Sequence, residues 1–248
     1  MMTVFVLWLR QLKRYIRSRA RIIGALAQPL LYLATFGFGF ASVFAAAGRG
    51  DYFQFLVPGI VGMSIIFTSI FSGMSVMWDR QFGFLKEILV APVSRMSVMV
   101  GCVLGGATTA IIQGMIVLGI SIAMGFHLQN WIVLIPTLAV MATIAILFSA
   151  IGTLIGALLN DFQAFQLIMG FLVMPVFFLS GAMFPLDGLP RTLTIITSLD
   201  PLSYGVDAMR ALLTGTAHFS LPLDFLVLGA TTLVLLLLGS FFFRKVQV

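Results

Sequence analysis

Five charged side chains, Asp79, Arg80, Lys86, Glu87 and Arg95, stand together in the stretch Trp78–Arg95 (WDRQFGFLKEILVAPVSR), between two long runs that carry none. Phe82, Leu85 and Leu89 recur at spacings of three and four. That pattern predicts a short helix with one apolar face, with Lys86 and Glu87 directed away from it and Pro92 as its stop. Its chemistry is ion pairing and docking, so the stretch reads as a loop that takes a push from another protein. A plain interfacial helix placed by its basic residues fits the same pattern.

Catalytic chemistry is missing elsewhere in the sequence. There is no G-x-x-x-x-G-K-[ST] loop for ATP, no Gly-x-Ser-x-Gly elbow and no H-E-x-x-H pair. His127 and His218 stand far apart with no Cys or carboxylate cluster, so no metal site is expected. The chain is expected to be no enzyme and to hold no cofactor. Cys102 is the single cysteine, so no intrachain disulfide can form.

The elements that must position the charged loop follow from composition. The chain has 248 residues, 60% hydrophobic and 9% charged, where a soluble domain carries about 25% charged residues. This is an all-α membrane protein: uncharged runs of about 20 residues are what a helix needs to cross hydrocarbon. Six spans are expected, at about 22–46, 55–77, 96–125, 131–159, 165–181 and 223–243, in a single transmembrane domain. Their interiors read as free of ionisable groups, which argues against a proton-coupled transporter and for energy supplied from outside the bilayer.

Residues 3–21 precede them. Phe5, Trp8, Leu9, Leu12 and Ile16 share one face and Arg10, Lys13, Arg14, Arg17 and Arg21 another, as in a basic amphipathic helix lying in the headgroup layer. Eleven of the fourteen Lys and Arg fall at the end of the spans that holds this helix; Arg49, Arg191 and Arg210 fall at the other. Both termini are therefore expected to be cytoplasmic. The net charge of +6 is orientation charge, with no nucleic-acid partner implied.

In the segment 182–222, Pro190 opens one short helix, Asp200-Pro201 stops it, and Leu202–Leu213 forms a second. Asp207 and Arg210 are expected at i, i+3 on the wetter side of that second helix. The pair reads as helices re-entering the outer leaflet, or as an ordinary surface loop.

Two stripes suit a substrate pathway. Met63, Phe67, Phe71 and Met74 share a face of the second span, and Leu167, Phe171, Met174 and Phe178 a face of the fifth. Met and Phe surfaces adapt to amphipathic molecules of varied shape, though such stripes also arise where spans meet lipid or each other. Pro175 permits a kink below Phe178 and Gly181, a candidate gate. The pairs Gly101/Gly105 and Gly152/Gly156 allow close helix approach, for packing more than transport.

The loop GFLKEILVAPVSR resembles the one after the second span in permeases of type-2 ATP-binding-cassette exporters, the group of the daunorubicin-resistance and nodulation-factor exporters. The likeness continues in FLVPGIV (Phe55–Val61), FLSGAMFPLDGLP (Phe178–Pro190) and LDPLSYGVDAMRALL (Leu199–Leu213). It implies a half-exporter of the cell inner membrane, paired with a second copy or a related permease and with two ATPase subunits that bind ATP and magnesium. The loop helix would dock on that ATPase through Phe82–Pro92, with Glu87 as the charged contact. The outer helices of the family map onto Pro190–Leu213, including Pro201, Tyr204, Asp207 and Arg210. The expected substrate is amphipathic, drug-like or lipid-linked; polysaccharide or lipo-oligosaccharide export is the alternative. An ATP-independent transporter or channel, or a membrane anchor without transport, is a different class.

Overall fold

Capping chemistry sets the helix starts. Asp51, Asp161 and Asp200 each accept a hydrogen bond from the backbone N–H two residues on, and Ser94 accepts one from Ser97. These satisfy donors that a helix N-terminus leaves open. The computed structural model describes residues 2–48, 50–82, 94–159 and 161–245, with the backbone alone from 240 onward. All regular elements among the described residues are helical: α1 Met2–Arg17, α2 Arg19–Gly39, α3 Ala41–Ala46, α4 Tyr52–Ser72, α5 Met74–Gln81 and α6 Arg95–Ala123. A 3₁₀ turn at Trp131–Val133 leads into α7 Leu134–Leu158, followed by α8 Phe162–Leu179, α9 Arg191–Leu199, α10 Pro201–Thr214 and α11 Leu221–Lys245.

Six segments are long and apolar enough to cross a membrane: Arg19–Gly39, Tyr52–Gln81, Arg95–Ala123, Trp131–Leu158, Phe162–Leu179 and Leu221–Gly239. They fall on the six stretches read from the sequence. The second is broken at Gly73, which divides α4 from α5.

Helix α4 is the axis of the bundle. Its most apolar stretch is 72% buried, against 17% for α2, 22% for α8 and 17% for α11. It packs on α2, α6, α7 and α10, so three of the six spans keep broad apolar faces turned outward. The break at Gly73 lies against α7: a Cβ there would collide with the Gly152 carbonyl, and one at Gly156 with the Gly73 carbonyl. Gly101 and Gly105 seat α1 instead, since a Cβ at Gly101 would meet the Leu7 Cβ at 2.9 Å and one at Gly105 would meet Gln11. Both glycine pairs are places of close helix approach, backbone on backbone at Gly152 and Gly156.

Helix α10 departs from the sequence reading. It packs against α4, α7 and α11, and Leu202 through Arg210 are all buried. The expected wetter side does not exist: Asp207 is 1% exposed and Arg210 6%. Tertiary packing overrides the i, i+3 pattern because each charge finds backbone partners elsewhere in the bundle. The Asp207 carboxylate accepts from the N–H groups of His218 and Phe219, closing the turn after α10. Arg210 donates to the carbonyls of Gly181 (3.0 Å) and Phe55 (3.4 Å) and lies 3.9 Å over the Phe55 ring. Helix α9, by contrast, leaves Ile195, Ile196 and Leu199 exposed.

Candidate functional site

Met63, Phe67 and Phe71 of α4 and Met74 of α5 line one wall of a cavity of about 590 Å³. That volume lies in the range of small-molecule sites, about 300–1,000 Å³. The facing wall is built by Gln11, Arg14 and Tyr15 of α1 and by Arg21, Gln28 and Pro29 of α2. Trp78 lines it on α5, and Ser64, Thr68, Ser75 and Thr109 are spread along it. The second-span stripe and the amphipathic helix thus meet at one site.

The fifth-span stripe does not line this cavity. Phe171 is 81% exposed, Leu167 and Phe178 are exposed, and Met174 is half-buried, because α8 turns Phe165, Met169, Val173 and Phe177 inward instead. Only its start approaches the cavity wall, with Phe162 against Trp78 and Phe165 near Phe71. Pro175 is exposed within α8. Gly181 takes φ +69, a left-handed turn that glycine adopts at no steric cost, and its carbonyl receives Arg210. Tyr204 stacks on Phe219, and its hydroxyl donates to the Ser198 carbonyl.

At the base, the expected docking residues divide. Asp79 is buried and ion-paired with Arg10 of α1. Arg80 donates to the Ala157 carbonyl at 2.9 Å, tying α5 to the end of α7. Phe82 is 64% exposed and stacks on Trp78. Arg95 opens α6 and is exposed. Leu85, Lys86, Glu87 and Pro92 lie outside the described residues.

Sequence reasoning missed how α1 is held. Trp8 donates to Thr108 (2.9 Å), Gln11 to Ser75 (3.2 Å), Tyr15 to Gln113, and Leu7, Gln11 and Tyr15 form its buried face. The spacing 7, 11, 15 was the available signal, a stripe of Leu, Gln and Tyr between the apolar and basic ones. Burial raises the Tyr15 phenol above its ordinary value, with Arg21 opposing. Phe5 and Ile16 remain exposed.

Two carboxylates stand near the ends of membrane-length segments. Asp79 ends the second membrane-length segment, and Asp224 sits in the first turn of α11, fully buried with no hydrogen-bond partner among the described residues.

Comparison with known proteins follows this geometry. The family model described as ABC-2 type transporter matches residues 2–214. The chain is 29% identical over 255 residues to the transport permease ycf38 of Cyanophora paradoxa, covering 98% of this chain and 88% of that one. It is 28% identical to nodulation protein J of Rhizobium leguminosarum bv. trifolii, covering 79% and 75%. It is also 28% identical to the inner membrane transport permease YadH of Escherichia coli K12, covering 82% and 80%.

Proposed function

We propose, from the premise that this chain belongs to the ABC-2 type transporter family, that it is the membrane-spanning subunit of an ATP-driven exporter of amphipathic molecules. The observation that carries the reading is that α5 follows α4 directly across Gly73, with no loop between them. One face of the pair lines the cavity, and the end of α5 runs directly into the 83–93 stretch with its Lys86 and Glu87. Asp79 and Arg80 brace α5 on α1 and α7, so a displacement of the loop reaches the cavity wall through a short rigid lever. In this reading they transmit force, and Phe82, Leu85, Lys86, Glu87 and Pro92 receive it.

Hydrolysis takes place on a separate ATP-binding-cassette subunit, present in two copies and holding ATP and magnesium. A second permease chain covers the outward faces of α2 and α8; exposed apolar surface such as Phe171 is what a partner helix or lipid must cover. The inner membrane is the site, supported by the likeness to the Escherichia coli permease, with both termini cytoplasmic and α9 in the outer leaflet. The Ser, Thr and Gln lining beside Phe71 and Trp78 favours a second reading, in which the polar part of the substrate is a saccharide.

The test is co-purification in mild detergent followed by ATPase assay. Glu87→Lys should lower ATPase retention or stimulation several-fold while the permease remains monodisperse. Wild-type retention and stimulation in that variant, or transport that proceeds with no ATPase present, would overturn the reading.

A further inference from the structure

We propose that the cavity between α1, α2 and α4 is a binding site for the phosphate-bearing headgroup of an amphiphile, held by Arg14 and Arg21. The inference goes beyond the transport reading and does not depend on it.

The first argument is position. Gly37 of α2 packs on Phe53 of α4, and the two helices run in opposite directions along the cavity. Sixteen residues back along α2, Arg21 stands level with about Ser69, roughly 24 Å from Phe53 at 1.5 Å per residue. That is close to the ~30 Å depth of a hydrocarbon core. A guanidinium there meets the headgroup layer while Met63 and Pro29 lie a few turns deeper.

The second argument is charge. Arg10, the neighbouring cation on α1, is already committed to Asp79. Arg14 and Arg21 are exposed, line the cavity, and have no carboxylate partner among the described residues. Among the described residues no Asp or Glu lines the cavity either. Two uncompensated guanidinium groups at one mouth match a phosphate, which accepts paired N–H donors in the fork geometry of arginine.

The third argument is unfilled space. Gly24 on α2 also lines the cavity, and a Cβ there would meet nothing within 4 Å. A soluble anion would not need the wall of Met63, Phe67 and Pro29, and a neutral lipid would not need the arginine pair.

The headgroup has two sources, an anionic lipid of the membrane or a phosphorylated molecule in transit. The full-length chain is reconstituted in phosphatidylcholine vesicles doped with phosphatidylglycerol, extracted, and its retained lipid counted by native mass spectrometry. Dodecyl phosphate is then titrated as the non-lipid arm. Wild type should retain phosphatidylglycerol over phosphatidylcholine, and R14Q/R21Q should lose about tenfold or more in affinity. Gly24→Leu, which fills the cavity and keeps both charges, should lose it as well. The pair K13Q/R17Q, exposed on the same helix and outside the cavity, should retain it. Retention of phosphatidylglycerol assigns the site to membrane lipid; preference for dodecyl phosphate assigns it to a phosphorylated substrate. Equal losses in R14Q/R21Q and K13Q/R17Q, or full retention in Gly24→Leu, would show only diffuse basic charge and overturn the proposal. Melting temperatures separate lost binding from lost folding, and Gly24→Leu decides the matter if the arginine pair proves essential to the fold.

Discussion

Gly73→Ala is the most informative single change. A Cβ at Gly73 would fall well under 3.0 Å from the carbonyl carbon and oxygen of Gly152 and 2.8 Å from the Thr153 nitrogen. All three are backbone atoms, so no side chain can swing aside. The contact is reciprocal, because Gly152 lies against the Ile70 carbonyl and Gly156 against that of Gly73. Relief requires α4, α5 and α7 to separate by about an ångström along this seam. Overpacking a tight core costs about 1–3 kcal/mol, and with whole helices displaced the upper end applies, about 3 kcal/mol. At roughly 2–4 °C per kcal/mol for a chain of this size, the melting temperature should fall by about 6–12 °C. Thermal unfolding in detergent, read as the monodisperse fraction, measures it. Gly119→Ala is the control: nothing lies within 4 Å of its Cβ, and alanine improves helix propensity by about 1 kcal/mol. It should melt at or slightly above wild type. If Gly73→Ala melts within about 2 °C of wild type, the seam yields more easily than its geometry implies and the reasoning fails.

Arg210→Ala should cost about 3 kcal/mol, because it strands the Gly181 carbonyl and removes a buried cation that interacts with Asp207. Arg210→Lys should fall between, since it keeps the charge and loses the fork; the same melt measures both, and equal stability of all three would be the contrary result. Arg10→Gln should cost about 2 kcal/mol, below the 3–5 of a fully buried pair because Arg10 stays 35% exposed, and adding Asp79→Asn should recover most of it. For Asp200, burial raises the carboxyl from 3.8 to about 7, opposed by the Leu202 N–H bond. The folded chain keeps a proton that the unfolded chain has released, so this contribution is full below about pH 4 and is lost as pH rises through about 7. Asp200→Asn, which keeps the cap, should flatten the fall of melting temperature with pH over that window; an unchanged slope would remove Asp200 as its cause.

The spans and the capping aspartates are local features, and the sequence carries them openly. The break at Gly73 is not local: nothing in TSIFSGMSV forbids a continuous helix, and the cause is the close seat of α7 about eighty residues on. Asp207 and Arg210 were misread for a related reason. Their spacing describes an isolated helix, while their surroundings are set by carbonyls at Phe55 and Gly181 and by the turn at His218. The second-span stripe was legible and lines the cavity, yet the half of that cavity built by α1 and α2 was not, because Gln11, Tyr15, Gln28 and Arg21 carry no motif. The fifth-span stripe was legible as a surface, with no means of telling what it faces.

The partners that fix α1 lie far down the chain: Trp8 and Thr108 are 100 residues apart, Tyr15 and Gln113 are 98. At the ribosome's pace of about 5–20 residues per second, the first helix emerges some 5–20 seconds before its seat on the third span exists. For that interval its indole, amide and phenol have only lipid headgroups and water for company. Docking of α1 therefore waits on the third span, and the helix stays unseated until the groove that receives it has been threaded into the bilayer.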